Sequence, residues 1–93
     1  MMLLPTQERS FALPTLPFIH LNGTSREALV DGYAKAYCAV DAAINVLFET
    51  SPNGRDYYPV EGSYQKARAE HDVRVRALVK VRDELMEIAQ GVR

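Results

Sequence analysis

Ninety-three residues suffice for one domain at most, and the 47% apolar and 25% charged content is that of an ordinary globular chain. A net charge of −1 argues against binding to bulk nucleic acid, although a few donors could still bind a small anion. The single Cys38 excludes an intramolecular disulfide and a cysteine-built metal site, and no run is long enough for a signal-peptide core or a membrane span. We therefore expect a cytoplasmic protein with no cofactor, metal or membrane partner.

The first predicted element is an extended N-terminal arm, residues 1–19. Pro5, Pro14 and Pro17 disfavour a helix there. The arm is also too apolar for a free tail, so we expect it to pack in a groove of its own subunit or of a neighbour. Its apolar residues are Phe11, Leu13, Leu16, Phe18 and Ile19.

A helical hairpin domain, residues 20–93, is predicted to follow, and its first helix spans about 24–50. Thr24 and Glu27 have the spacing of a capping box, which places the helix start at residue 24 or 25. Apolar residues then recur at alternating gaps of three and four, the pattern of one helix face. This stripe consists of Val30, Tyr33, Tyr37, Val40, Ile44 and Leu47.

A connection over residues 51–62 leads to a second helix over about 63–90, with Gly91 as its C-terminal cap. Two helices joined by so short a connection predict an antiparallel two-helix hairpin, and the fold class is all-α. The stripe of the second helix consists of Tyr64, Ala67, His71, Val75, Leu78, Val81, Leu85 and Ile88.

The first helix is apolar on more sides than one neighbouring helix covers. A helix that is apolar on most sides is usually enclosed on most sides, so we expect identical subunits to assemble into an oligomeric helical bundle. The alternative is a monomer covered by its own arm. The small or apolar residues outside the main stripe include Ala34, Cys38, Ala39, Ala42 and Phe48.

The first candidate ligand-binding segment lies in the connection, at residues 53–59. Its Asn-Gly pair alone reverses a chain, whereas an arginine, an aspartate and two tyrosines add charge and flat rings suited to a phosphorylated, ring-bearing ligand. The alternative is a hairpin cap, with the tyrosines packed over the helix ends and the arginine paired to Asp56 or Glu61. The candidates are Asn53, Arg55, Asp56, Tyr57 and Tyr58.

A second polar segment, residues 20–26, leads into the first helix. Free N–H groups and the positive end of the helix dipole favour an anion there, although simple N-capping explains the same residues. The chain has no Gly-Lys-Ser/Thr phosphate-binding motif, so ATP hydrolysis is not indicated. The candidates are Asn22, Gly23, Thr24, Ser25 and Arg26.

His71 interrupts the apolar stripe of the second helix and heads a secondary group of candidates. If the hairpin is centred on its connection, Asp41 lies near His71 and Cys38 lies near Arg74. A half-buried His–Asp pair could act as a general base, as a ligand contact or as a structural hydrogen bond. His71, Arg74 and Asp41 are therefore secondary candidates, and we expect no catalytic residues.

The two polar segments lie at opposite ends of one hairpin, about 35–40 Å apart. An antiparallel dimer would bring residues 53–59 of one chain beside residues 22–26 of the other. Backbone amides, hydroxyls, two arginines and two tyrosines would then converge. Oligomerisation would build the site as well as the core.

Two segments within residues 16–89, Ile19-His20-Leu21-Asn22-Gly23-Thr24-Ser25 and Asn53-Gly54-Arg55-Asp56-Tyr57-Tyr58-Pro59, resemble a family of small uncharacterised helical proteins encoded by bacteriophages and prophages. The resemblance implies no particular activity and no catalytic residue. It does imply a setting in host cytoplasm, where small phage proteins often counter host defence. The anti-CBASS and anti-Thoeris sponge proteins are analogous in size and lifestyle, not in sequence motifs.

We therefore expect a non-enzymatic, phage-type counter-defence protein that sequesters a small nucleotide-like signal at subunit interfaces. The alternative is an interaction module that inhibits or scaffolds a host or phage protein. An enzyme using His71 with Asp41 is a third, less favoured class.

Overall fold

The computed structural model describes residues 13–93, and this part of the chain is all-α. It contains α1 (Arg26–Glu49), a one-turn α2 (Gly54–Tyr57) and α3 (Ser63–Gln90). Helices α1 and α3 pack against each other in an antiparallel arrangement, which confirms the hairpin. The bounds of both long helices agree with the prediction to within two residues, whereas α2 was not foreseen. The part of the arm over residues 1–12, including Phe11, lies outside the described residues.

Ser25, not Thr24, caps the start of α1. Its side-chain oxygen accepts a hydrogen bond from the backbone N–H of Ala28 at 3.1 Å, and its backbone is extended, as an N-cap requires. The predicted capping box of Thr24 and Glu27 is therefore wrong by one residue. Glu27 lies instead within the first turn, where its charge favours the positive end of the helix dipole.

Glycines border both ends of α3 for different physical reasons. Gly62 precedes the helix with a φ of 81°, in the left-handed region that side chains disfavour. Gly91 follows the helix with a φ of −98°, so no left-handed cap forms there. A Cβ atom on Gly91 would lie 2.8 Å from Cδ1 of Leu16. Gly91 therefore permits close packing of the arm.

The apolar stripes of α1 and α3 face each other, but the interior between them is small. Every residue of the α1 stripe is buried or half-buried, and Val81 is the exposed exception in α3. Among the described residues only Ile44 and Val92 are buried apolar side chains. The principal extents of 61 × 34 × 16 Å describe one thin layer of helices. Such a layer leaves much of the α1 surface uncovered.

The base of the hairpin is closed by the arm and the C-terminal tail of the same subunit. The backbone N–H of Ile19 donates to the Arg93 carbonyl at 3.0 Å, and the N–H of Arg93 donates to the Pro17 carbonyl at 3.1 Å. The Arg93 guanidinium also lies over the Phe18 ring, 5.8 Å from its centroid. Pro17 and Ile19 therefore join the arm to its own subunit, although the side chains of Leu13 and Phe18 stay mostly exposed.

The register of the hairpin differs from the one expected from the connection length. Asp41 pairs with Arg82, at 2.8 Å between Oδ1 and Nη1, and His71 instead lies beside Ser51. The expected Asp41–His71 pair is thus wrong, because Arg82 lies about three turns, or ~16 Å, further along α3. Because His71 lies beside Ser51, which follows α1, the α3 residues before His71 extend past the end of α1.

Two neighbouring expectations change with this register. Arg74 forms an exposed pair with Glu70 within α3, at 4.0 Å between Nη2 and Oε1, and Cys38 is exposed. No interaction in the described part of the chain joins Cys38 to Arg74.

Candidate functional site

Asn53 organises the α2 segment through its side chain. Its Oδ1 accepts from the backbone N–H of Arg55 at 3.0 Å, and its Nδ2 donates to Oδ2 of Asp56 at 3.1 Å. The N–H of Asp56 donates back to the Asn53 carbonyl at 3.2 Å. Asn53 and Asp56 therefore hold the turn together, and their polar atoms are largely engaged with each other.

The two tyrosines of this segment point in different directions. Tyr57 is half-buried and packs against Tyr64, with ring centroids 6.5 Å apart and planes inclined by 45°. Tyr58 is 85% exposed and lines an open depression together with Asn53, Gly54 and Arg55. The hairpin-cap interpretation thus describes Tyr57. Tyr58 remains available to a ligand.

The Arg55 side chain is exposed beside Tyr58. Neither of the expected intramolecular ion pairs, to Asp56 or to Glu61, forms within residues 13–93. A cation and an aromatic face therefore share one rim of α2 and make no side-chain hydrogen bond or ion pair with the rest of the described chain.

At the entry to α1, three of the five candidate residues take part in hydrogen bonds with backbone groups of the same chain. Gly23 closes a turn, with its N–H donating to the His20 carbonyl at 3.1 Å, and a Cβ there would lie 2.7 Å from Nε2 of His20. Ser25 is the N-cap, and Nη1 of Arg26 donates to the Val92 carbonyl at 2.9 Å. The capping interpretation accounts for Ser25, whereas Gly23 forms the turn and Arg26 contacts the C-terminal tail.

Asn22 and Thr24 are exposed in the same loop. Their side chains make no hydrogen bond with another described residue, so they remain free to donate to a ligand. The loop and α2 lie at opposite ends of α1, whose 24 residues span about 36 Å. One subunit does not bring the two segments together.

Another polar site lies beside the C-terminal end of α1. Six residues surround a cavity of about 330 Å³: Phe48, Ser51, Pro52, Arg68, His71 and Asp72. Sequence reasoning found only His71, from its place on an apolar stripe. The other five come together only because of the register between α1 and α3, and no sequence pattern predicted that register.

Two arginines of α3 are held by short polar contacts. The Tyr64 hydroxyl accepts from Nη1 of Arg68 at 3.2 Å, and this bond, followed by the nearby charge of Asp72, raises the pKa of Arg68. Hydrogen bonds to Asp41 and then to Asp83 raise the pKa of Arg82. Arg82 also lies over the Tyr37 ring, 5.8 Å from its centroid. Both arginines stay cationic at any physiological pH.

Among residues 13–93, no three His, Cys, Asp or Glu side chains are grouped to hold a metal ion. No helix within that range is long and apolar enough to cross a membrane. No protein-family model matches this chain, and no curated protein or solved structure does either.

Proposed function

We propose that this protein is a non-catalytic, self-associating helical protein that binds a small phosphorylated, ring-bearing ligand at the α2 end of the hairpin. The observation that carries the proposal is the pairing of exposed Arg55 and Tyr58 on one rim. Their neighbours Asn53 and Asp56 hold the turn through their own hydrogen bonds. The shape of α2 therefore does not depend on the side chains of Arg55 and Tyr58.

The chemistry of this rim suits a nucleotide-like ligand. A guanidinium donates in a planar fork that matches two phosphate oxygens, and a tyrosine ring stacks on a base without regard to its identity. Because α2 is preorganised by the Asn53 cap, less conformational entropy is lost when the ligand binds. Arg55 would neutralise phosphate and Tyr58 would stack on the ring.

Self-association is supported by the uncovered apolar side of α1. Its small residues there recur at gaps of three and four, and an added Cβ on Gly32 would meet open space. Small apolar residues let a second helix approach closely, and its packing there would remove apolar surface from water. The residues of this side, here called the α1 small-residue face, are Ala28, Gly32, Ala36, Ala39 and Ala43.

In an antiparallel dimer, the entry loop of one subunit would lie beside α2 of the other. Asn22 and Thr24 would then donate hydrogen bonds to the ligand that Arg55 and Tyr58 hold. The resemblance to phage-encoded proteins suggests the biological role. The ligand would be a signalling nucleotide of host defence, sequestered in host cytoplasm.

Calorimetric titration with a panel of cyclic and linear nucleotides tests this proposal. We expect one member to bind, and Arg55→Ala to weaken binding at least tenfold, since a charge-assisted hydrogen bond contributes about 1.5–3 kcal/mol. Arg76→Ala is the matched control, because Arg76 is an equally exposed arginine of α3. Binding of no nucleotide, or equal loss in both variants, refutes the proposal.

A second candidate function, an interaction module for a host or phage protein, is favoured by exposed apolar side chains. Val46, Phe48 and Val73 are each more than half exposed. A stoichiometric protein partner that co-purifies without any small molecule, and that Phe48→Asp releases, would favour this function over ligand sequestration.

A further inference from the structure

The cavity below the end of α1 is built from three segments of the chain. Phe48 comes from α1, Ser51 and Pro52 come from the connection, and α3 supplies the remaining lining. Its volume of about 330 Å³ lies in the range of small-molecule sites. The ligand site proposed at the α2 rim uses none of its residues.

His71 is the one buried polar side chain among residues 13–93, with 7% of its surface exposed. Its Nε2 lies 3.3 Å from Oγ of Ser51. The Ser51 hydroxyl donates its hydrogen to the Phe48 carbonyl at 2.9 Å, so its oxygen can only accept from the imidazole. This network assigns a hydrogen to Nε2.

The other ring nitrogen, Nδ1 of His71, has no hydrogen-bond partner within the described residues. A buried polar atom without a partner is costly, and such atoms in folded proteins usually have an external partner. Because His71 lines the cavity, a molecule bound there lies against the imidazole ring.

The other lining groups define what such a molecule would be. Arg68 commits one N–H to the Tyr64 hydroxyl and retains further donors, while the exposed Asp72 carboxylate accepts. Phe48 and Pro52 supply two apolar ring faces. A planar heterocycle has a polar edge that suits such donors and acceptors and apolar faces that suit such rings.

We propose that this cavity is a binding site for a nucleobase-like heterocycle, with Nδ1 of His71, Arg68 and Asp72 contacting its polar edge and Phe48 packing on its face. The site requires no phosphate and no second subunit. It is separate from the α2 rim, although both lie at the same end of the hairpin.

NMR titration with adenosine, guanosine, cytidine and uridine tests the site, with the backbone amide resonances of residues 48–51 and 68–72 as the readout in the native chain and in each variant. We expect at least one nucleoside to shift those resonances in a saturable way. His71→Gln keeps a donor near Ser51 but lacks the Nδ1 atom, so affinity should fall at least tenfold while circular dichroism stays unchanged.

Asp72→Asn provides a second variant at an exposed position, where the fold does not depend on the side chain. It replaces an acceptor with a partial donor and should change which nucleoside binds best. If His71→Gln unfolds the protein, Asp72→Asn decides the question. No shift at millimolar nucleoside, or shifts that neither variant alters, overturns the proposal.

Arg55→Ala separates this proposal from the proposed function. It should leave nucleoside affinity unchanged while it weakens nucleotide binding at the α2 rim. Nucleoside binding that is lost with Arg55→Ala would place the ring at α2 and refute the cavity site.

Discussion

The two ends of the hairpin are stabilised by different kinds of interaction. At the base, main-chain hydrogen bonds join the arm to the C-terminal tail between Ile19, Arg93 and Pro17. At the other end, the side chain of Asn53 holds α2. Main-chain pairing leaves few donors for a ligand, whereas a short capped turn leaves its remaining side chains exposed. The base therefore stabilises the fold, whereas the α2 end leaves the side chains of Arg55 and Tyr58 exposed.

The largest effect should follow from removal of the last two residues, Val92 and Arg93. Truncation after Gly91 exposes the base, because it deletes a buried valine and three hydrogen bonds that reach the arm and Arg26. We expect a loss of about 4 kcal/mol in the free energy of unfolding, measured by urea denaturation.

Arg93→Ala is the control for this truncation. It keeps the main-chain hydrogen bonds and loses only the cation over Phe18, so it should cost less than about 1 kcal/mol. If the truncated chain is as stable as the full chain, main-chain pairing does not hold the base.

Ile44 is the buried apolar residue nearer the α2 end, and only 2% of its surface is exposed. Ile44→Ala should destabilise the protein by about 3 kcal/mol, because it leaves a cavity between α1 and α3. In an isolated hairpin the exposed Val46→Ala should cost less than about 0.5 kcal/mol. A loss at Val46 as large as that at Ile44 would mean that another subunit covers α1.

The two capping residues should have unequal effects although their chemistry is alike. Ser25→Ala removes the N-cap of α1, the helix that contains the buried Ile44 and packs along α3. We therefore expect a loss of about 1 kcal/mol in the free energy of unfolding of the whole protein. Asn53→Ala should change global stability by less than about 0.5 kcal/mol and instead speed amide hydrogen exchange over residues 54–57. Equal global losses would contradict the contrast between the ends.

The smallest effect concerns the exposed surface between the ends. Nζ of Lys35 lies 2.9 Å from Oδ2 of Asp31, and this hydrogen bond raises the pKa of Lys35 above 10.5. Because the folded pKa is raised, any stabilisation is fully present below pH 10.5 and is lost as pH rises through the folded value. Asp31→Asn should lower the Lys35 pKa in an NMR titration and reduce stability at pH 7 only slightly, because both side chains are exposed and solvent screens their attraction. A pKa that does not move refutes the pairing.

The periodicity of the sequence was enough to predict both long helices and the hairpin. Ile44 and its neighbours at gaps of three and four mark the packed face of α1, and Gly91 marks the end of α3. These signals are local, because helix propensity, capping and side-chain direction depend on residues within about one turn. The candidate loops 20–26 and 53–59 were visible for the same reason.

Tertiary structure alone decided how those elements meet. It set the register that pairs Asp41 with Arg82 and places His71 beside Ser51. The physical reason is that the path of the whole connection through α2 decides which residues of α3 face α1. No pattern within one helix specifies that path. The helices are thus determined locally, whereas the cavity around His71 exists only because of the way they pack.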